Sequence, residues 1–372
     1  MRVLMLIRTD ARRVPGGDVV QMDQTRAVLL TRGVSADVHL VGEDICWSRY
    51  DLVHLFNIQT VQESSRACDQ ALRHRKPLVL SPIYWDPLPA WFRFAPDRRR
   101  VWRFLIRVMG RSLAYSLYAK WHRMRNRSRT EWQSQRQILT TANVLLPNST
   151  AEAKQIVRDF RLPSATQERV MVVPNGIERS MYDPLPRPHS GVRALLGDRP
   201  FVLQVGRVSP EKNNLALIYA LRNCSWPLVF VGILSPYHMD YVAEVRAAAA
   251  ARGNVHFIDH LPHVELPGVY RLAAVHALPS WRETPGLASL EAAAAGCSIV
   301  STCIGSAREY FGQDAQYCDP MDVDSITRAV ETALASPPPA HLRERILEHY
   351  TWDVAAQKTY EGYQLALDSR SA

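Results

Sequence analysis

The sequence predicts an α/β protein of two doubly wound domains, each a parallel sheet covered by helices, facing a central cleft. Short apolar runs alternate with longer amphipathic stretches from end to end, the pattern of repeated strand and helix units. At 372 residues the chain exceeds the usual size of one domain, so each half can bury a core of its own. Between the halves lies SMYDPLPRPHSG, proline-rich and without periodicity, which reads as a linker.

In the first half the expected strands are VLMLI (3–7), ADVHLV (36–41), LVHLFN (52–57), PLVLSP (77–82), NVLLPN (143–148) and RVMVVPN (169–175). They make a domain over 1–178, followed by a linker over 179–199. The second domain, 200–350, has FVLQVG (201–206), PLVFVG (227–232), NVHFID (254–259), AVHALPS (274–280), SIVSTC (298–303) and AQYCD (315–319), each followed by helical spacing. The last segment, 351–372, has helical spacing too and is expected to pack back toward the first domain. Sheets of this kind bind ligands beyond the carboxyl ends of their strands, so the cleft is the expected site.

An apolar fraction of 47% with 22% charged residues is ordinary for a soluble globular protein. No run approaches the roughly 18 to 20 uninterrupted apolar residues of a membrane span. The N-terminal MRVLMLIRTD turns polar too soon for a signal peptide core and reads as the first strand. Six cysteines, at 46, 68, 224, 297, 303 and 318, form neither a Cys-x-x-Cys pair nor a zinc-spaced knot with histidine. Cys297 and Cys303, bracketing SIVST, read as small buried side chains, and the compartment as the reducing cytoplasm. Asn148-Ser149-Thr150 spells a glycosylation sequon, yet Ser149 reads better as a helix cap, with Glu152 completing a capping box.

The run AVHALPS leads into WRETPGLASLEAAAAG (281–296), which therefore begins at a strand's carboxyl end. Thr284 suits an N-cap, Pro285 the first helical position, and Gly286 keeps a side chain out of the way. The backbone N–H groups of Gly286 and Leu287 are then left pointing outward, and with the helix dipole they make a place for phosphate oxygens. Glu291 lies about 9 Å farther along the helix axis than Pro285, and Glu283 precedes the turn. Carboxylates avoid phosphate, so the pair is better used accepting hydrogen bonds from hydroxyl groups on either side of a diphosphate. Ribose, diphosphate and sugar, in that order, make a nucleotide sugar. FVLQVG runs into Arg207 and then Lys212, two cations for the two negative charges of a diphosphate. The alternative is a surface helix with solvated glutamates beside a loop with a solvated Arg and Lys.

GRVSPEKN (206–213) and ETPGLASLE (283–291), with VVPNGIE (172–178) before the linker, resemble the signatures of retaining glycosyltransferases of family 4. The fold of that family is GT-B, two Rossmann-like domains about a cleft, and its hallmark is a glutamate pair with seven residues between. The resemblance extends to the glycine pair of VPGGDVVQ, to DLVHLFN, to GSAREYF (305–311) and to YTWDVAAQ, covering most of the chain. It implies that Arg207 and Lys212 hold the donor diphosphate beside the Gly286 and Leu287 amides, with Glu283 on donor-sugar hydroxyls and Glu291 on the ribose. Gly206, which opens the first string, belongs to the same donor site, and Gly17 lets the first domain's backbone approach the phosphates. Retention by front-face attack is implied as well, with the leaving phosphate taking the acceptor's proton and no separate base required. Cations and amides that stabilise the departing diphosphate then make the largest electrostatic contribution. No cofactor beyond the nucleotide sugar, itself a substrate, is expected. Many relatives carry a histidine after the strand corresponding to PLVLSP, where this chain reads SPIYWDP, with Tyr84, Trp85 and Asp86. His54, in LVHLFN, reads as a core histidine.

The resemblance fails mainly between Leu88 and Gln137, where twelve Arg and one Lys stand against Asp97 and Glu131 in a chain of net charge +9. Trp, Phe, Leu and Ile interleave with these arginines, a pattern suited to an anionic membrane surface. A helical insertion with core aromatics and solvated arginines is the alternative. No nucleic-acid-binding motif accompanies the charge, so nucleic acid is not an expected partner. Asp322-Val323-Asp324 spells the D-x-D with which another glycosyltransferase fold holds a divalent ion, but Asp324 suits the N-cap of the next helix, and no metal is expected. The reading is a cytoplasmic enzyme, peripheral at the inner face of the cytoplasmic membrane, that transfers a hexosyl unit from a nucleotide sugar to a lipid-linked or saccharide acceptor in polysaccharide or lipopolysaccharide assembly. An epimerase or phosphorylase of the same fold and a non-catalytic sugar-binding protein compete with it. A dehydrogenase does not, because no G-x-G-x-x-G follows a first strand.

Overall fold

The computed structural model describes residues 1–14, 16–89, 91–92, 99–126, 129–284 and 286–369. It divides into two compact units, Met1–Asn175 with Trp352–Ala372, and Gly176–Thr351.

In unit 1 the elements run β1 (Arg2–Ile7), α1 (Gly17–Thr31), β2 (Ser35–Leu40), β3 (Leu52–Phe56), α2 (Val61–Arg73), β4 (Leu78–Ser81), α3 (Arg100–Met109), α4 (Arg111–Asn126), α5 (Thr130–Thr141), β5 (Val144–Leu145), α6 (Thr150–Phe160) and α7 (Ser164–Gln167). The strands pair in parallel in the order β2-β1-β3-β4-β5. β3 and β4 are buried along their whole length, as central strands of a sheet covered on both faces must be, and this is why they read as continuous apolar runs. The strand expected at 169–175 does not form. Residues 169–173 do run along β5, with Leu145 and Val173 donating to Arg169 O and Pro147 O and Met171 donating to Leu145 O. Pro147 has no N–H with which to extend the ladder, so the pairing stays a bridge at Leu145 and Val170.

Unit 2 continues with α8 (Ser190–Leu196), β6 (Val202–Val205), α9 (Asn214–Ala220), β7 (Leu228–Val231), α10 (Met239–Arg252), β8 (Val255–Ile258), α11 (Leu266–Leu272), β9 (Val275–Leu278), α12 (Leu287–Ala294), β10 (Ser298–Thr302), α13 (Ala307–Phe311), β11 (Gln316–Cys318), α14 (Val323–Ala335) and α15 (Ala340–His349). Its parallel order is β11-β10-β9-β6-β7-β8. The segment 179–199, expected as a linker, belongs to this unit. Tyr182, Val192 and Leu196 enter its core, and His189 donates its N–H to Gly268 O at 3.0 Å. Its prolines interrupt the periodicity by which a packed segment is recognised.

The chain then returns to unit 1 as α16 (Trp352–Asp368). Ala355, Ala356, Thr359 and Tyr363 are buried on it, and the Tyr363 hydroxyl lies 2.8 Å from His54 Nδ1. His54 Nε2 meets Ser81 Oγ at 2.9 Å. Burial pushes this histidine down to about 3, so it is a neutral pin between sheet and helix.

Ser149 caps α6 by accepting the Glu152 N–H at 3.0 Å. Glu152 does not return the bond to Ser149 as a capping box would; its carboxylate accepts the Asn148 and Tyr84 amides, each at 2.6 Å. Asp322, not Asp324, caps α14, accepting the Asp324 N–H at 2.9 Å. All six cysteines are unpaired, and Cys303 is exposed where a buried side chain was expected, because β10 ends one residue before it. Among the described residues no helix is long and apolar enough to cross a membrane.

Candidate functional site

In a doubly wound sheet the winding reverses between two neighbouring strands, and the loops leaving their carboxyl ends part there to leave a crevice. In unit 2 those strands are β6 and β9. Gly206 and Arg207 follow β6, and the segment holding Glu283 follows β9.

The loop after β6 is braced from below. Asn213, left-handed at φ 57°, ends a one-turn 3-10 helix, Pro210–Lys212. Its buried side-chain amide donates to Pro279 O and Pro320 O at 3.1 and 2.9 Å. Gln204 donates to Lys212 O at 2.8 Å and is itself held by Asn214. Trp281 donates its N–H to Glu211 O at 3.0 Å, joining the two loops. Lys212 is thereby set so that its Nζ lies 2.7 Å from Glu283 Oε1. The carboxylate is only 8% exposed and the lysine 31%, a partly shielded pair in which removing either partner strands the other.

Glu283 is fixed through its backbone. Ser306 donates to Glu283 O at 3.0 Å and Glu283 to Ile304 O at 3.3 Å. Gly305 sits against this bridge at φ 111°, where an added Cβ would fall 2.0 Å from Glu283 O. Only glycine fits there. Gly286 is left-handed at φ 81°, and a Cβ on it would approach Glu283 Oε2 to 3.3 Å. It is also the cap of α12, accepting the Ser289 and Leu290 N–H groups. Thr284 is therefore not the cap, and Pro285 lies outside the described residues. The helix starts later than expected, so the amides without an intrahelical acceptor are those of Leu287 and Ala288, with Gly286 just ahead of them.

Glu291, one turn on, is gripped from α11 and the turn before it: Tyr270 OH donates to Oε2 at 3.0 Å, and His263 Nε2 lies 2.9 Å from Oε1. The hydrogen bond to Glu291 raises the His263 pKa, against burial. Tyr182 is fully buried in the same core, and its hydroxyl has no partner among the described residues. Burial pushes both phenols, Tyr182 and Tyr270, far above their usual range. Below the site His276 on β9 accepts the Val205 N–H at 3.4 Å and is pushed down to about 3, by burial and then by the Lys212 charge. Burial likewise brings Arg282 down to about 9, opposed by Glu211 and Glu283.

Of the residues singled out in the sequence, Lys212, Glu283 and Gly286 come together, with Leu287 beside them, and Gly206 and Arg207 leave the neighbouring strand. Glu291 sits on the same helix with partners of its own. His263, Tyr270, His276 and Tyr182 were missed; each lies in a strand, helix or proline-rich run where a polar ring looks like ordinary packing. Gly17 belongs to unit 1, where it opens α1 behind the extended cap Gly16. The next residue, Asp18, is buried against Arg8 at 2.7 Å and takes a hydrogen bond from Asn57 at 3.3 Å. This cluster stands at the β1/β3 pair, where the winding of the first sheet reverses.

These observations frame the likeness to known proteins. Residues 189–349 match the family of glycosyl transferases group 1. The chain is 30% identical over 212 residues to a glycogen synthase of Mycobacterium tuberculosis, covering 53% of this chain and 49% of that one. It is 25% identical over 218 residues to an O-antigen chain mannosyltransferase B of Escherichia coli, covering 56% of each. The chain thus spans about half the length of these curated relatives. Its structure matches a sucrose-phosphate synthase of Thermosynechococcus elongatus over 99% of both chains at a TM-score of 0.75 and 15% identity. The fold is GT-B. The same fold is found in Anabaena HepE, described in complex with UDP and glucose, which matches over all of both chains at a TM-score of 0.65 and 17% identity.

Proposed function

We propose that this chain is a retaining glycosyltransferase of family 4 that moves a hexosyl unit from a nucleotide sugar to a lipid-linked or saccharide acceptor in cell-surface polysaccharide or lipopolysaccharide assembly. The observation that carries this reading is the Lys212 and Glu283 contact at the strand end where the winding of unit 2 reverses, beside the start of α12. There Lys212 and Arg207 would take the diphosphate with the Leu287 and Ala288 amides, and Glu283, already held by Lys212, would accept hydrogen bonds from the donor sugar. Glu291 would hold the ribose, with His263 and Tyr270 fixing its carboxylate. As the glycosidic bond to phosphate breaks, negative charge grows on the departing diphosphate. Groups already aimed at that charge lower the barrier without reorganising. Two cations match its two charges, so the reading needs no divalent ion, and the leaving phosphate can accept the acceptor's proton.

The acceptor side draws on α3 and α4. Val101, Phe104 and Val108 on α3, and Leu113, Leu117 and Met124 on α4, are exposed at helical spacing, and residues 99–126 carry seven Arg, one Lys and no acid. An apolar stripe set among cations favours an anionic bilayer surface at the cytoplasmic face. The name of the Escherichia coli relative, an O-antigen chain mannosyltransferase, supports polysaccharide assembly as the setting of the transfer.

The test is transfer itself. Lys212→Ala and Glu283→Ala should each lower kcat by about 100-fold or more, as loss of one charge-stabilising group does in other enzymes, with circular dichroism unchanged. Full turnover in both would remove the assignment.

A further inference from the structure

Strand β9 reads Val-His-Ala-Leu and is buried from end to end. A polar ring in such a run costs free energy unless its nitrogens are met, and wholly buried His276 has both of them met. Its contacts reach three parts of the proposed donor site.

The first is the end of β6. The ladder between β6 and β9 stops at the pair Leu203 and His276, while β6 goes on pairing with β7 as far as Val205. Val202 and Gly206 donate toward β7, to Pro227 O and Val231 O. Amides alternate in direction along a strand, so the Val205 N–H faces the gap where β6 and β9 part. The ladder has ended before it, and His276 Nε2 accepts it at 3.4 Å.

The second is the first turn of α12. Because Nε2 is the acceptor, the proton of the neutral ring sits on Nδ1, 3.3 Å from Ser289 Oγ. Ser289 directly follows Leu287 and Ala288, which open the helix. The third is Tyr270 on α11, whose ring meets the imidazole edge to face with centroids 5.7 Å apart and whose hydroxyl donates to Glu291. Burial, and then the charge of Lys212, keep His276 uncharged. A protonated ring would lose the Val205 bond and stand against Lys212.

We infer that His276 is a positioning residue for the donor: its neutral imidazole holds the end of β6, the first turn of α12 and the Tyr270–Glu291 contact at the spacing a nucleoside diphosphate spans. Strands of a doubly wound sheet part where the winding reverses, and a side chain that bridges the parting sets how far. Being wholly buried, His276 acts through these neighbours and not on the ligand. The inference rests on the reading of this site as a nucleotide-sugar seat and adds what fixes the seat's dimensions.

Isothermal titration with UDP, GDP, ADP and TDP measures the seat without an acceptor. At least one should bind the wild type. For that one, His276→Phe, which keeps a ring against Tyr270 and removes both hydrogen bonds, should raise Kd about tenfold, and Ser289→Ala about threefold. The double variant should bind like His276→Phe alone, because the two side chains form one link. His276→Gln, whose amide oxygen can still accept the Val205 N–H, should recover part of the loss. A packing role alone would lower the melting temperature and leave Kd where it was. Unchanged Kd in folded His276→Phe or Ser289→Ala, or additive effects in the double variant, would overturn the inference and leave the seat reading intact. A wild type that binds none of the four would remove the seat reading and this inference with it. Nitrogen NMR of the wild-type imidazoles needs no variant to fold: His276 should be neutral with its proton on Nδ1, and a proton on Nε2 would contradict the link.

Discussion

At the scale of the residue, Glu152 shows how a local rule is overridden by its surroundings. Ser-x-x-Glu foretold the cap on α6, and the cap formed. The carboxylate was drawn instead to the amides of Asn148 and Tyr84, a demand that arises only when the loop after β4 folds over α6 and that no sequence window contains. Burial, partly offset by those amides, pushes this carboxyl up to about 7. A group whose folded pKa lies above its unfolded value favours folding while protonated. The contribution is therefore complete below the usual glutamate range and is lost as pH rises to 7. Urea unfolding should give a stability that falls by about 1–3 kcal/mol between pH 4.5 and 7.5 from this group, and Glu152→Gln should flatten the slope. A pH profile unchanged by the substitution would show that the carboxylate is charged throughout.

At the scale of the element, strands were legible and their connections less so. Eleven of the twelve expected runs form strands within a few residues, since buried parallel strands announce themselves by β-branched apolar runs. The site loops were read by residue type, and their geometry came only with the fold. The shift of the α12 start from Thr284 to Gly286 follows from Gly286 taking a left-handed conformation against Glu283, which Thr-Pro-Gly does not disclose by itself. Gly305 has the same dependence on a distant segment, twenty-two residues along the chain. Gly305→Ala should destabilise unit 2 by about 1–3 kcal/mol, the cost of strain at a left-handed position with a clash, and should lower kcat by displacing Glu283. Thermal melts and steady-state kinetics check the two effects, and a variant matching the wild type in both would show that the Glu283 bridge yields without consequence.

At the scale of the whole molecule, charge distribution was plain from the sequence, because twelve arginines in fifty residues need no structure to be counted. What they surround was not plain. α3 and α4 carry an exposed apolar and cationic surface, and a cavity lined by carboxylates, arginines and tryptophans lies beside α4. Aromatic residues stand at both, and sequence alone does not separate them. Sedimentation with vesicles should require anionic lipid and weaken as salt rises past about 0.15 M, where screening shortens the reach of surface charge. Phe104→Glu with Val108→Glu should abolish it while leaving the melting temperature in place. Binding to neutral vesicles at equal strength would contradict the membrane reading without touching the donor site.

The central claim is that the ends of β6 and β9 form a cationic seat for the diphosphate of a nucleotide sugar. Thermal melting with UDP-, GDP-, ADP- and TDP-sugars measures it most directly, because a ligand at about a hundred times its Kd stabilises the folded state by roughly 2.7 kcal/mol. One of these donors should raise the melting temperature of the wild type, and Arg207→Ala and Lys212→Ala should each erase most of that rise. A chain that no nucleotide sugar stabilises, or one whose stabilisation survives both substitutions, would contradict the account.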